Sequence, residues 1–245
     1  MDNSTYINLS RQSGLLRELN VIANNMANAN TAGFKREGAI FTEFIKSVAG
    51  ETPSSDPRHS LSMGRLGAHV SHFESGELHR TSGSLDVAID GEGFFLIETP
   101  QGERLSRAGH FMTDNEGTLI TPEGFAVLDD AGGRIQIPQE VNLLAIGGDG
   151  TLSADGVELG KLGIVTAQVE TMSREGGNLW SAQAGYVPVE TPRVMQGFLE
   201  DSNVQPVAEM ARMIEVQRHY DAGQKLMDIE NDRITQVITT LRQLA

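Results

Sequence analysis

Three histidines, His69, His72 and His79, lie within eleven residues of one another, with Glu74 and Glu77 among them. Imidazole and carboxylate are the ligands zinc and related cations accept, so a metal centre is the first chemistry to test here. The spacing argues against it. H-x2-H matches neither the i, i+4 face of a metal-binding helix nor the alternation of one strand face, and solvated histidines in a β region are the expected reading. The aspartates of "DNEG" at Asp114, "DDAGG" at Asp129 and "GGDG" at Gly147 raise calcium in the same way. None continues into the spaced acids and closing glutamate of a calcium loop. Each sits where a hairpin needs Asp, Asn and Gly to reach positive φ.

Asp86 and Asp90 resemble a glycosidase's carboxylate pair by type alone. In "LDVAID" they are expected to share an exposed strand face opposite Leu85, Val87 and Ile89. No aromatic platform for a sugar lies near them, and Trp180 is the sole tryptophan of the chain. The sequence contains no G-x-S-x-G elbow, no P-loop, and no G-x-G-x-x-G between a strand and a helix. No catalytic residues, cofactor or metal are expected. With no cysteine in 245 residues, disulfides, thiolate metal sites and cysteine nucleophiles are excluded together, which suits an oxidising compartment.

The remaining polar concentration is of amides. "ANNMANANTAGFK", Ala23 to Lys35, holds four asparagines, Asn24, Asn25, Asn28 and Asn30, although asparagine is a poor helix former. Asn24, Asn25 and Asn28 fall three or four apart and gather on one side of a helix, while Ala23, Met26 and Ala27 continue an apolar side. A buried amide is satisfied in one register only, as asparagines in coiled coils demonstrate. The segment therefore reads as a docking face whose specificity lies in satisfying those amides, against the blander reading of a polar, frayed helix end.

The elements that position it follow from periodicity. Leu9, Leu16, Leu19, Ala23 and Met26, widened by Leu15 and Ile22, predict an amphipathic helix from about Ser4 to about Asn28. Asn30, Thr31 and Gly33 are its stop signals. The last zone steps three and four from Met213 through Val216, Tyr220, Gly223, Met227, Glu230, Ile234, Val237 and Leu241 to Leu244. Pro206 suits the first turn of such a helix and Ser202 or Asn203 its cap; its length points to a coiled-coil arm. Between the helices the period is two and turn clusters recur, which predicts an antiparallel β domain of many short strands. From Arg36 to Arg80 an extended excursion is expected, with "ETPSSDP" as a loop or hairpin tip.

The fold class is thus α+β: discontinuous terminal helices packed as an antiparallel coiled coil (1–35 and 200–245), a connecting hairpin-like excursion (36–80), and a central all-β domain (81–199). The formal net charge of -14 lies in the middle, where 36–204 carry 11 basic and 25 acidic residues. That acidity opposes nucleic acid and anionic membranes as partners. No apolar run reaches the length of a membrane span or of a signal-peptide core, so no membrane insertion and no cleavable leader are expected.

Three stretches also resemble a known family. "ANNMANANTAGFK" resembles the N-terminal motif of flagellar basal-body rod and hook proteins, "SGSLDVAIDGEGFF" their central motif, and "QGFLEDSNVQPVAEMARMIEVQRHY" their C-terminal one. The opening "MDNSTYINLSRQ", the short chain and its ending point within the family to a proximal-rod rather than a distal-rod subunit. The resemblance implies a structural subunit exported unfolded through the flagellar type III apparatus. It would polymerise helically, with copies of itself and related rod subunits, into the shaft crossing the periplasm. Its terminal helices would line an inner tube and its β domain would face outward. Carried over residue by residue, Asn24, Asn25, Asn28, Thr31, Gly33 and Phe34 match the first motif. Met26 stands where leucine is commoner, a swap of similar volume. Glu209, Met213, Ile214, Gln217, Arg218 and Tyr220 match the last. These residues are the expected assembly interface. The reading set against it is a secreted β-domain adhesin or hydrolase that its helices merely oligomerise.

Overall fold

A computed structural model describes residues 3–47 and 60–244. Helix α1 (Asn3–Ala27) leads to a long antiparallel hairpin of β1 (Glu37–Ser47) and β2 (Ser60–Ser71). Short strands follow, and α2 (Pro206–Leu244) closes the chain. Two compact units result. The first comprises Met1–Ala27, Glu37–His72 and Gln205–Ala245; the second comprises Asn28–Arg36 and Phe73–Val204. The expected excursion is the β1–β2 hairpin, and its "ETPSSDP" tip lies outside the described residues.

In the first unit the two helical stripes meet. Leu15, Ile22 and Val216 form a buried cluster, with Leu19, Met26, Met213 and Tyr220 packed against it. The helices run antiparallel: Arg212 donates to Glu18 at 2.6 and 2.9 Å, and Gly223 lies against Gln12 further along. At about 1.5 Å per residue α1 spans about 37 Å and α2 about 58 Å, so α1 covers only the first part of its partner. The expected caps of α2 do other work. Ser202 accepts a hydrogen bond from Val204 N at 3.2 Å, while Asn203 accepts one from Arg36 N at 2.6 Å and donates to Glu74 O at 3.0 Å. The first turn instead closes through Glu209 N to Gln205 O at 3.0 Å.

The second unit is antiparallel throughout. β3 (Leu78–Arg80) pairs with Phe198–Glu200 and β4 (Val87–Ile89) with Val194–Gln196. β5 (Phe94–Thr99) and β6 (Gly102–Ser106) form the hairpin at the centre of a nine-stranded sheet. Phe95 and Ile97 of β5 enter one core with Phe111, Leu119, Val127 and Leu152. Phe94 and Leu96 enter another with Leu105, Val165 and Trp180. A strand buried on both faces has no polar side to show, which is why "FFLI" runs without alternation. The expected alternation of "LDVAID" fails for a related reason. Val87, Ala88 and Ile89 are all buried, and Asp86 is drawn inward to accept from the Thr81 hydroxyl at 2.5 Å, with His110 Nδ1 at 2.5 Å from its other oxygen. "RIQIP" alternates as expected, with Ile135 and Ile137 buried between exposed Arg134 and Gln136.

The acidic turns are turns. Asp114 Oδ1 accepts from the amides of Glu116 and Thr118, both at 2.8 Å, and Asp129 Oδ1 from those of Ala131 and Gly133. Asp155 and Gly156, both at positive φ (49° and 84°), form the two-residue connection whose twist suits a tight hairpin. His79 pairs with Asp201 at 2.8 Å. No cluster of three metal-binding side chains exists among the described residues.

Candidate assembly interface

The residues expected at an interface divide between the two units. In the first unit, Asn25 is fully buried at the end of α1. Its amide pairs with the backbone of Glu37 in both directions, Nδ2 donating to the carbonyl at 2.8 Å and Oδ1 accepting from the amide at 2.9 Å. Nδ2 also lies 3.3 Å from Glu209 Oε2, and Glu209 is itself buried in the first turn of α2. One side chain thus joins the end of α1, the start of β1 and the start of α2. A primary amide does this because it offers donors and an acceptor in one plane, matched to a strand backbone.

Met26, Met213 and Tyr220 are half-buried along the helix seam. Asn24, Gln217 and Arg218 face outward, and so does Ile214, at 51% exposure. Past the buried cluster the apolar stripe of α2 continues through Ile234, Val237, Ile238 and Leu241, between 45% and 62% exposed, while Leu226 and Ile229, near Asn8 of α1, are 51% and 65% exposed. Leu9 and Leu16 of α1 are exposed as well.

In the second unit, Asn28 and Thr31 build the turn that ends the helical direction. Thr31 N donates to Asn28 O at 3.1 Å, and Phe34 N to Thr31 O at 3.2 Å. Gly33 has φ +70°, and a Cβ there would stand 2.4 Å from Ala108 N and from Arg107 C; its own N–H donates to Glu200 O at 2.7 Å. Only glycine fits that close approach of two backbones. Phe34 is buried, and its ring lies 4.2 Å from the Arg174 guanidinium, which also faces the Trp180 ring at 4.6 Å. Arg174 and Asn178 hydrogen-bond the carbonyls of Lys35 and Ala32 at 2.6 and 2.7 Å.

Sequence reasoning did not single out Lys35, Arg107, Arg174 or Glu200. Lys35 is wholly buried, ion-paired to Glu200 and bonded to Glu74 O at 2.8 Å. Glu200 also accepts from Arg107 Nη1 at 3.2 Å and from Gly76 N at 2.9 Å. Burial pulls the Lys35 ammonium below the ordinary lysine range; Glu200 opposes this and Arg107 adds to it. Burial likewise lowers Arg107, with Glu200 acting against it. Both charged residues stand inside quoted motifs, Lys35 closing "TAGFK" and Glu200 within "QGFLEDSN", but a charge carries no sequence mark of burial.

The motif residues therefore fall into two groups. Asn25, Gly33, Phe34 and Glu209 make their contacts within the chain, whereas Ile214, Gln217, Arg218 and the far half of α2 remain presented to solvent.

Three family models match the chain: "Flagella basal body rod protein" over residues 6–35, "Flagellar hook protein FlgE/F/G D1 domain" over 88–154, and "Flagellar basal body rod FlgEFG protein C-terminal" over 195–242. The flagellar basal-body rod protein FlgF of Caulobacter vibrioides is 40% identical over 232 residues, covering 93% of each chain. FlgG of Bacillus subtilis is 34% identical, covering 99% of this chain and all of the relative. FlgF of Rhizobium meliloti is 33% identical over 98% of both.

Proposed function

This chain belongs to the flagellar basal-body rod protein family, and we propose that it acts by polymerising helically, with copies of itself and with related rod subunits, into the shaft that carries torque from motor to hook. It is a structural subunit and not an enzyme, and the adhesin or hydrolase reading is not favoured.

The observation that carries the assembly reading is the exposed apolar surface of the far half of α2. A helix with an unmatched apolar stripe buries it against another surface. Six large aliphatic side chains in one helical half, each roughly half exposed, would gain about 0.7–1.5 kcal/mol apiece on full burial of what remains in water. In the rod the stripe joins neighbouring helices in coiled-coil fashion, and the terminal helices form the channel-lining layer, with the acidic β region outside. Ile214, Gln217 and Arg218 contribute to that interface, as do Asn24, Met213 and Tyr220. Asn25, Met26, Asn28, Thr31, Gly33, Phe34 and Glu209 act by holding the presented surfaces in shape. The 40% likeness to a FlgF relative supports a proximal-rod position. Export through the type III apparatus and residence in the periplasmic rod belong to the same reading.

The test is the triple substitution Ile234→Asp, Val237→Asp, Leu241→Asp. Because these side chains stand outside the buried helix cluster of the single chain, its circular dichroism should stay close to the wild type, while cells carrying it assemble no rods and do not swim. Motile cells with the variant in purified basal bodies would refute the assembly reading.

A further inference from the structure

The loop Asn28–Arg36 is held in the second unit by residues that arrive much later in the chain. Two clusters grip it. In one, Phe34 stacks on Arg174 with Trp180 beyond. In the other, Lys35 reaches Glu200, which Arg107 and Gly76 N also share. Glu200 additionally holds Gly33 N through its own carbonyl. It is the residue on which both the charge balance and the backbone seat of the loop converge.

The energetics make that dependence one-sided. A lysine ammonium with no solvent access is tolerated only beside a counter-charge, and removing one partner of a buried pair leaves the other uncompensated. Glu200 is the carboxylate that Lys35 meets, by charge and by hydrogen bond alike. The sheet core meets this cluster where the Arg107 guanidinium lies over the Phe94 ring, 5.3 Å from its centroid, but has its own supports. β5 is held by its own ladders with β6 and Ile164–Thr166 and by apolar packing on both faces.

We propose that residues 31–36 form a charge-locked latch that closes only when the last strand of the second unit, Phe198–Glu200, is seated. The order of the N-terminal loop is then a readout of whether the C-terminal end of that unit is in place. In a chain that appears N-terminus first, the loop stays open through most of the sequence and closes last. Glu200 is its positioning residue. The latch opens below the free energy of global unfolding, as a separate cooperative unit. The rod reading is not needed for this inference, because it concerns the single chain.

The test is hydrogen exchange by mass spectrometry on the full chain, with Trp180 emission as a second probe. Glu200→Gln is expected to speed exchange at residues 31–36 at least tenfold and to shift Trp180 emission as Phe34 leaves the stack, while β5 keeps wild-type protection. Glu98→Gln, which removes only an exposed partner of Arg134, should change neither. Unchanged loop exchange in Glu200→Gln overturns the latch; so does an equal rise in β5, which would make the loop part of one global transition. Should that variant not fold, the unmodified chain decides. Amine labelling of Lys35 in rising urea is expected to begin below the concentration at which β5 loses protection, and coincidence of the two overturns the proposal.

Discussion

Gly33 is the sharpest single-residue constraint in the molecule. A side chain there would meet the backbone of Arg107 and Ala108, which cannot rotate away as a flexible side chain can. Gly33→Ala is expected to cost the second unit roughly 3 kcal/mol or more, through positive φ and steric overlap together, measured as a lower urea midpoint of Trp180 emission. Asn25→Leu acts in the other unit. It removes the hydrogen bonds that Asn25 makes to the backbone of Glu37 and to the Glu209 carboxylate, at about 0.5–1.5 kcal/mol each. The helical signal should melt earlier while the Trp180 transition stays where it was; equal loss in both would contradict the division of roles. Asp86 supplies a pH dependence. Burial alone would raise its carboxyl, but the bonds to Thr81 and His110 prevail and hold it below the ordinary value of 3.8. The folded form thus binds its proton less readily than the unfolded one. The stabilisation is complete above about pH 4 and is lost as pH falls through the folded pKa. Asp86→Asn should flatten that part of the acid decline in the second unit, and an unaltered acid limb would assign the decline to other carboxylates.

At the scale of elements, what was legible followed from period and punctuation. The stripe of α2 and its proline fixed both of its ends, Pro206 and Leu244, and the asparagine–glycine cluster marked the stop of α1. What periodicity could not supply was the partner on each face. β4 lies in a stretch that reads as alternating yet is buried on every residue, and Asp86 before it is turned to the Thr81 hydroxyl and the His110 imidazole. Of the candidate interface, the helix-seam residues followed from spacing, but Asn25 and Phe34 gave no sign that their partners lie within the chain, at Glu37 and Arg174. Lys35 and Glu200 were invisible because burial of a charge is decided by a counter-charge 165 positions away. The helix pair shows the same limit from the other side, since one continuous stripe divides into a covered and an uncovered half where α1 runs out. Val216→Asp, placing a charge in the seam, should destabilise the helix pair by roughly 3 kcal/mol or more. Ile238→Asp, on the same stripe but solvated, should lie within about 0.5 kcal/mol of wild type. Thermal melts followed by helical circular dichroism compare them directly, and similar costs would mean that Ile238 is covered in the single chain.

Across the whole molecule, charge is partitioned as strongly as structure. The second unit carries 21 acidic against nine basic residues, net -12, and the first unit 12 against ten, net -2. Self-repulsion of that size destabilises a compact state and is relieved by screening. The exposed ion pairs Arg134–Glu98 and Arg104–Glu175 weaken with salt too, but such pairs contribute only about 0–1 kcal/mol each. The Lys35–Glu200–Arg107 cluster, out of contact with solvent, is screened far less. The net repulsion therefore decides the sign. Raising ionic strength from about 0.01 M to about 0.15 M shortens the screening length from about 30 Å to about 8 Å and is expected to raise the midpoint of the Trp180 transition. The near-neutral helix pair should respond much less, so the two probes should move apart as salt is added. A helical transition that rises as far as the Trp180 one would show that the two units do not carry their charge independently.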